Sequence, residues 1–482
     1  MFASVLGSAV TQPINIIPAI VFIVVILRAR AWYNDDGIPA VKAKIPVIGN
    51  FIEYAKDMEG YVRQVGKKYG EVFKINLLLS NTVWLNGTAL NREYLFTRED
   101  VWSFGDGMGV FLNKVVVPNF FDHLRLFVGS LSRGISNNAA VAHYANVAEC
   151  ETEKVIESWG SRDEPLALFK DMSNIVHKII VRCMMGPDFY QHSDELFELL
   201  HVMEANLANL WNFLLPEWVP HPSAKKLWAA RDRTQEIFRI RLAEREKEPE
   251  KWKKELDYIS YTLRDPATAH LKDKYSALHT VLMFAAHTST VAGVAWTIIE
   301  LLKNPEYLAR LRKELEANPN PDESEFLHAL MKETTRHYVA FNDLRFARQP
   351  KTLTNSSSKK PFTIPAGTMV SISPYITHHD PSLWERPNEY LPERWIADPM
   401  LQKKLNEGNH IRYLPFGAGS HRCPGEKMAL MMMRTIVAKI VMTCDISWPE
   451  GQSNQDTTKL DFGKIGSPWL TGDIRVNIKP KA

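Results

Sequence analysis

The chain has 482 residues and a mass of 55.1 kDa, with 45% hydrophobic and 23% charged side chains. That composition is far from the low-hydrophobicity, high-charge signature of disorder. Lysine and arginine number 58 against 55 acidic residues, a net charge of +3. So even a balance lacks the basic excess of a nucleic-acid binder. The four cysteines, Cys150, Cys183, Cys423 and Cys444, are too sparse for a disulfide scaffold. They include no Cys-x-x-Cys pair suggesting zinc, and they fit a reducing compartment.

Residues 1–27 contain no charged side chain, and Ile16 to Leu27 is apolar except for the break at Pro18. With the milder residues before it, this stretch reaches the ~20 residues that a bilayer helix needs. A cleaved signal peptide would carry positive charge ahead of its apolar core. Here Arg28 and Arg30 come after it, which favours a single uncleaved transmembrane anchor with its C-terminal side in the cytosol. Residues 28–50, with Asp36-Gly37-Ile38-Pro39 and Ile45-Pro46-Val47-Ile48-Gly49, read as a stiff connector. Residues 51–482 are then one large domain.

Within that domain β-prone runs fall near 71–78, 82–86, 361–373 and 473–479. Helical spacing of apolar residues marks 139–159, 223–247, 305–317 and 324–337. The expected fold is mostly α with small β-sheets. Asn355 to Lys360 reads as a loop between two strands. Leu210 to Pro220 is aromatic-rich and broken by proline; it is either core or a patch dipping into a membrane interface. Tyr275 to Ile299 has no acidic or basic residue over 25 positions. Its His279, Thr280, His287, Thr288, Ser289, Thr290 and Thr297 favour a helix buried on all sides over a second span.

The segment Pro415-Phe416-Gly417-Ala418-Gly419-Ser420-His421-Arg422-Cys423-Pro424-Gly425 precedes a helical run from Glu426 to Thr443. Three glycines in nine residues let the backbone turn tightly and approach a flat ligand. Cys423 lies just ahead of a helix N-terminus beside Arg422, features that lower a thiol pKa and suit a thiolate ligand of iron. A lone cysteine is most often a small buried hydrophobe. The spacing argues otherwise: Phe416-x-x-Gly419-x-x-x-Cys423-x-Gly425 resembles the haem-binding signature of the cytochrome P450 family at every fixed position.

Other segments carry the same resemblance in order. Glu333-Thr-Thr-Arg336 resembles the family's Glu-x-x-Arg helix, whose i, i+3 spacing puts both side chains on one face. Pro392-Glu393-Arg394-Trp395 resembles its Pro-Glu-Arg-aromatic element, and Arg394 would complete a buried structural network with Glu333 and Arg336. His379-Asp380-Pro381, Trp384 and Pro387 fit the intervening spacing. The resemblance runs from about residue 33 to the C-terminus.

Within the family the chain resembles the sterol 14α-demethylase branch most, through Ala286-His287-Thr288-Ser289, His421-Arg422-Cys423, Leu344 to Pro350, Pro118 to Leu131, and Leu214 to Pro220. It departs where that branch has Gly two residues before the histidine (here Ala285), Tyr in the stretch at 109–113, and Arg at 420 (here Ser). The departures imply a diverged relative, a microsomal and fungal enzyme of specialised metabolism.

The resemblance implies a cytochrome P450 fold, haem b held by Cys423, and insertion of one oxygen atom from O2 into a large apolar substrate, terpenoid, sterol-like or otherwise polycyclic. Phe416, Gly419 and Gly425 would cradle the haem. Arg125, Arg345 and His421 would meet its carboxylates, a task suited to arginine. Thr288 and His287 are the candidate catalytic pair for oxygen activation and proton supply. No flavin or nicotinamide motif is present, so electrons would come from NADPH-cytochrome P450 reductase at the endoplasmic reticulum membrane. Lys403, Lys404 and Lys427 are candidates to dock it. Alternatives are a true sterol 14α-demethylase, a haem-thiolate isomerase working without reductase, and a haem-free scaffold.

Overall fold

A computed structural model describes residues 36–43, 49–77, 80–207, 209, 211, 212, 215, 219–339, 342–452, 455–462, 464, 466–472 and 474–481. The anchor expected over 1–27 and most of the stretch from 210 to 220 lie outside the described residues. The chain forms two compact units, one of residues up to Gly107 with Asp343–Ile376, the other of Met108–Asn342 with Thr377–Ala482.

The first unit is built on a five-stranded sheet in the order Val72–Leu77, Ser80–Leu85, Met369–Ile372, Asp343–Ala347, Trp102–Ser103. All pairings are antiparallel except that of Ser80–Leu85 with Met369–Ile372, where Thr82 faces Met369. The strands at 72–77 and 369–372 are buried on both faces, and Lys74, Asn76 and Ser371 are buried with them. The helix Met58–Tyr69 starts at Asp57, whose side chain accepts from Gly60 N, and ends at Gly70 with φ 89°, where glycine carries no Cβ penalty. Its Val62 and Val65 pack with Val41, Phe73, Ile75 and Trp84. Part of the connector belongs to this unit. Lys74 N–H donates to Pro39 O at 2.9 Å, Val41 N–H to Lys74 O at 2.9 Å, and Lys74 pairs with Asp36 at 2.7 Å. The polar loop at 355–360 closes the hairpin of Lys351–Thr354 and Pro361–Ile364.

The second unit is helical. The expected helices appear as Asn138–Trp159, Pro222–Lys247, Pro305–Ala317 and Glu325–Tyr338. The uncharged stretch becomes the central helix Tyr275–Lys303, 29 residues long, about 44 Å at 1.5 Å per residue. Among the described residues it lies in the one helix long and apolar enough to cross a membrane, but 78% of its most apolar window is buried inside the protein. Around it stand Leu168–Ile180, Pro222–Lys247, Glu325–Tyr338 and the helix after the cysteine, Glu426–Thr443. Trp296 stacks on Tyr338 with ring centroids 4.0 Å apart. At Gly293 a Cβ would stand 2.1 Å from Met433 Sδ, so the Met433 side chain of the helix at 426–443 fills the space that glycine leaves. Small sheets join Leu166–Ala167, Arg475–Pro480 and Cys444–Ser447, and Leu460–Asp461 pairs with Trp469–Leu470.

Candidate active site

The cysteine loop is a tight turn held by backbone bonds. Gly417 and Gly419 have φ of 66° and 70°, which non-glycine residues rarely adopt. Gly417 N–H donates to Leu414 O at 3.1 Å and Cys423 N–H to Phe416 O at 2.8 Å. A Cβ on Gly425 would lie 3.8 Å from Cys423 Sγ. The Cys423 side chain is exposed, yet protein crowds most of its surroundings. Burial raises its thiol, and neither the Gly425 N–H nor Arg422 offsets this fully. The helix-start N–H groups and Arg422 do lower it, as expected, but burial outweighs them. Arg422 is spent on Glu426, at 2.8 and 3.0 Å, and the thiolate needs a cation bound to it. A crowded thiol with one open face fits an iron ligand.

The central helix supplies the second half of the site. From Tyr275 to Leu302 every residue is buried except Val281, Leu282, Ala285, Ala286 and Ser289. At about 100° per residue these five form one stripe about 140° wide, with Ser289 near its midline. The stripe is two turns long. Further along the same side comes Gly293, closed by Met433 of the helix that begins just after Cys423. The open face and the cysteine helix therefore share one side of the central helix. A stripe of small and apolar side chains left open inside a buried helix is room for a flat apolar group and its substrate.

Thr288 and His287 lie off this stripe. Both are buried and share one carboxylate oxygen. Thr288 Oγ1 donates to Glu204 Oε1 at 2.9 Å, and His287 Nδ1 lies 3.1 Å from the same atom. His287 Nε2 is 2.9 Å from Ser173 Oγ. On the other oxygen, His201 is at 3.4 Å and Lys464 at 3.9 Å. Burial pushes the Glu204 carboxyl up, but bonds from His201 and His287 and the nearby Lys464 outweigh it and hold it well below the usual range. Ser289, by contrast, has its hydroxyl beside Gly466, whose added Cβ would stand 2.0 Å from it. Sequence reasoning named neither Glu204 nor Ser289 as functional. Glu204 is 83 positions from His287 and left no motif.

Glu333 and Arg336 are fully buried and paired at 2.8 Å, with Arg394 at 3.3 Å from the same oxygen. Trp395 Nε1 and Leu391 N–H also donate to this carboxylate, both at 2.9 Å. Arg125 is exposed on the helix Leu124–Ile135, and Phe416, His421 and Gly425 are half-buried. Arg345 belongs to the other unit. Its Nη1 donates to Tyr94 O at 2.8 Å and Thr97 O at 3.2 Å, its Nη2 lies 3.5 Å from Leu95 O and 3.7 Å from Asp343 Oδ2, and its Nε has no partner among the described residues.

A glycine-rich loop that presents a cysteine at the start of a helix, beside a central helix with one open face, fits a thiolate ligand for a metal cofactor, and the comparisons give the family. A family model described as Cytochrome P450 matches residues 39–471. The chain is 56% identical over 379 residues to cytochrome P450 monooxygenase pytD of Aspergillus terreus, covering 77% of this chain and 100% of that protein. It is 46% identical over 458 residues to cytochrome P450 monooxygenase pynD of Aspergillus niger, covering 93% and 95%. Lanosterol 14-alpha demethylase of Cunninghamella elegans is 24% identical over 451 residues, covering 86% of each. Retinoic acid bound cyanobacterial CYP120A1 has the same fold, with a TM-score of 0.74 at 18% identity over 93% of this chain and 100% of that one. The chain belongs to the cytochrome P450 family. It is a haem-thiolate monooxygenase, more similar to these Aspergillus monooxygenases than to the lanosterol demethylase.

Proposed function

We propose that this enzyme oxidises a large apolar specialised metabolite, terpenoid or otherwise polycyclic, against the open face of the central helix. The stripe Val281, Leu282, Ala285, Ala286, Ser289 carries this reading. Alanine at 285 and 286 leaves depth for a bulky ring system, and the single hydroxyl sits at the midline. Haem b bound through Cys423 supplies reductive activation of O2 and transfer of one oxygen atom. Phe416, Gly419 and Gly425 shape the loop beside it, and Arg125 and His421 are the candidates in this unit for its carboxylates. Glu333, Arg336 and Arg394 hold the chain behind that loop.

Ser289, on the open face beside Gly466, would be the hydroxyl available to the oxygen that the haem activates. Thr288 donates to Glu204 and cannot spend the same proton on the open face. We assign His287 to the proton supply behind it, oriented with Thr288 by the ionised Glu204, with Lys464, 27% exposed, on its solvent side. Electrons come from a separate reductase. We read that partner as the NADPH-dependent flavoprotein of the endoplasmic reticulum, met at the exposed Lys403, Lys404 and Lys427. Residues 1–27 would anchor the catalytic domain on the cytosolic side of that membrane.

The test is a spectral binding screen of the purified holoenzyme with triterpenes, sterols and polycyclic alkaloids, followed by product analysis with reductase. Ala285→Phe should abolish binding of the hit while leaving the reduced CO spectrum near ~450 nm intact. Undiminished binding by that variant, or removal of the 14-methyl group from lanosterol by the wild type, overturns the reading.

A further inference from the structure

We propose that His378 is a positioning residue for the haem ligand: a neutral imidazole whose Nε2 accepts the backbone N–H of Leu414 and so sets where the cysteine loop begins. His378 ends the short helix Pro374–His378 and is fully buried. Leu414 N–H donates to its Nε2 at 3.0 Å. From there the loop is chained by backbone bonds, since Leu414 O takes Gly417 N–H and Phe416 O takes Cys423 N–H. A shift at Leu414 is thus passed to the residue bearing the sulfur.

The imidazole is held from several sides. Its own carbonyl accepts from Arg336 Nη1 at 2.8 Å, tying it to the Glu333 network. Its ring lies 5.6 Å from that of Tyr413 and meets Trp384 edge-on at 6.2 Å. An accepting Nε2 places the ring proton on Nδ1, since a neutral imidazole has one donor and one acceptor nitrogen. Nδ1 has no partner among the described residues. Burial first, then Arg336 and His379, lower its pKa well below the ordinary value, so the accepting form persists. Leu414 N–H is itself buried, and the cost of orphaning a buried donor makes this acceptor matter.

The inference rests on haem-thiolate ligation and not on the choice of substrate. The full-length holoprotein is compared with His378→Gln, whose Oε1 reaches the place of Nε2, His378→Asn, whose oxygen stops short, and His378→Phe, which keeps the ring and removes the acceptor. The readouts are the ratio of the thiolate-ligated to the thiolate-lost reduced CO complex, the g-value spread of the ferric electron-spin resonance signal, and the unfolding temperature by circular dichroism. We expect that ratio to fall at least about fivefold in the Asn and Phe variants, the factor one hydrogen bond is worth. Gln should restore it, with all three unfolding at similar temperatures. Equal ratios in Phe and wild type, or equal losses in Gln and Asn, overturn the proposal. A wild type lacking the thiolate signature would instead remove the ligation beneath it.

Discussion

Replacing Glu333 by alanine tests whether the buried network behind the cysteine loop works as a charge sink. Five donors converge on this carboxylate: Arg336 Nε at 3.0 Å and Nη2 at 2.8 Å, Leu391 N–H at 2.9 Å, Trp395 Nε1 at 2.9 Å and Arg394 Nε at 3.3 Å. Glu333→Ala leaves Arg336, with no exposed side-chain surface, charged and served by no anion, only by the carbonyls of His378, Pro387 and Glu389 and by His337 Nδ1 at 3.1 Å. Removing one partner of a buried ion pair costs about 3–5 kcal/mol. For a chain of this length the unfolding entropy is about 1 kcal/mol per kelvin, so the melting midpoint should fall by about 3–5 °C. Glu333→Gln should keep more than half of that loss, because its amide NH2 turns a donor toward donors. Glu389→Ala is the control. Its side chain pairs with Arg386 where both are about half exposed, at 51% and 56%, and such exposed pairs contribute little to stability. Scanning calorimetry at one fixed scan rate separates the two cases. A midpoint for Glu333→Ala within 1 °C of the Glu389→Ala control, roughly the width of a surface-pair effect, would refute the reasoning.

Three other outcomes follow from the same geometry. Ser289→Ala should divert most electrons to peroxide while Thr288→Ala retains more product, measured as product formed per NADPH consumed; the reverse ranking would restore Thr288 to the reacting oxygen. Gly466→Ala and Gly472→Ala both force a side chain into φ near 100°, at a cost of about 1–2 kcal/mol each, but only the first crowds Ser289. Only Gly466→Ala should therefore uncouple turnover, and matching peroxide yields from the two would break the link between this turn and the hydroxyl. Burial, followed by charged neighbours, lowers His177 and His279 each to about 3, against about 6.5 in the unfolded chain. Their stabilisation is full above pH 6.5 and drains as pH falls toward 3. Each should lose about 1.4 kcal/mol between pH 7.5 and 5.5, readable as a falling denaturant midpoint that His279→Phe makes shallower; a midpoint unmoved by pH would contradict both burials.

What the sequence made legible was local. Helices at 138–159, 222–247, 305–317 and 325–338 announced themselves because one face of each meets the core and the other meets water, so periodicity survives in the residue pattern. The cysteine loop was legible for a different reason: its glycines carry positive φ, and few residue types tolerate that. The central helix offered no such handle. It is apolar nearly all round, so nothing in its composition says which side stays open, and motif resemblance assigned the reacting hydroxyl to Thr288. One position along a helix turns the side chain by about 100°. That is the difference between Thr288, bonded to Glu204 on the closed side, and Ser289, on the open one. The partners that decide the matter, Glu204 and Gly466, lie far from Thr288 and Ser289 in the chain, where no local pattern can reach them. His378 was equally silent, because its role depends on one nitrogen and a backbone amide 36 residues on. Spacing within the chain therefore locates the metal-binding sulfur, while the face that chemistry uses opposite it is set by tertiary contacts alone.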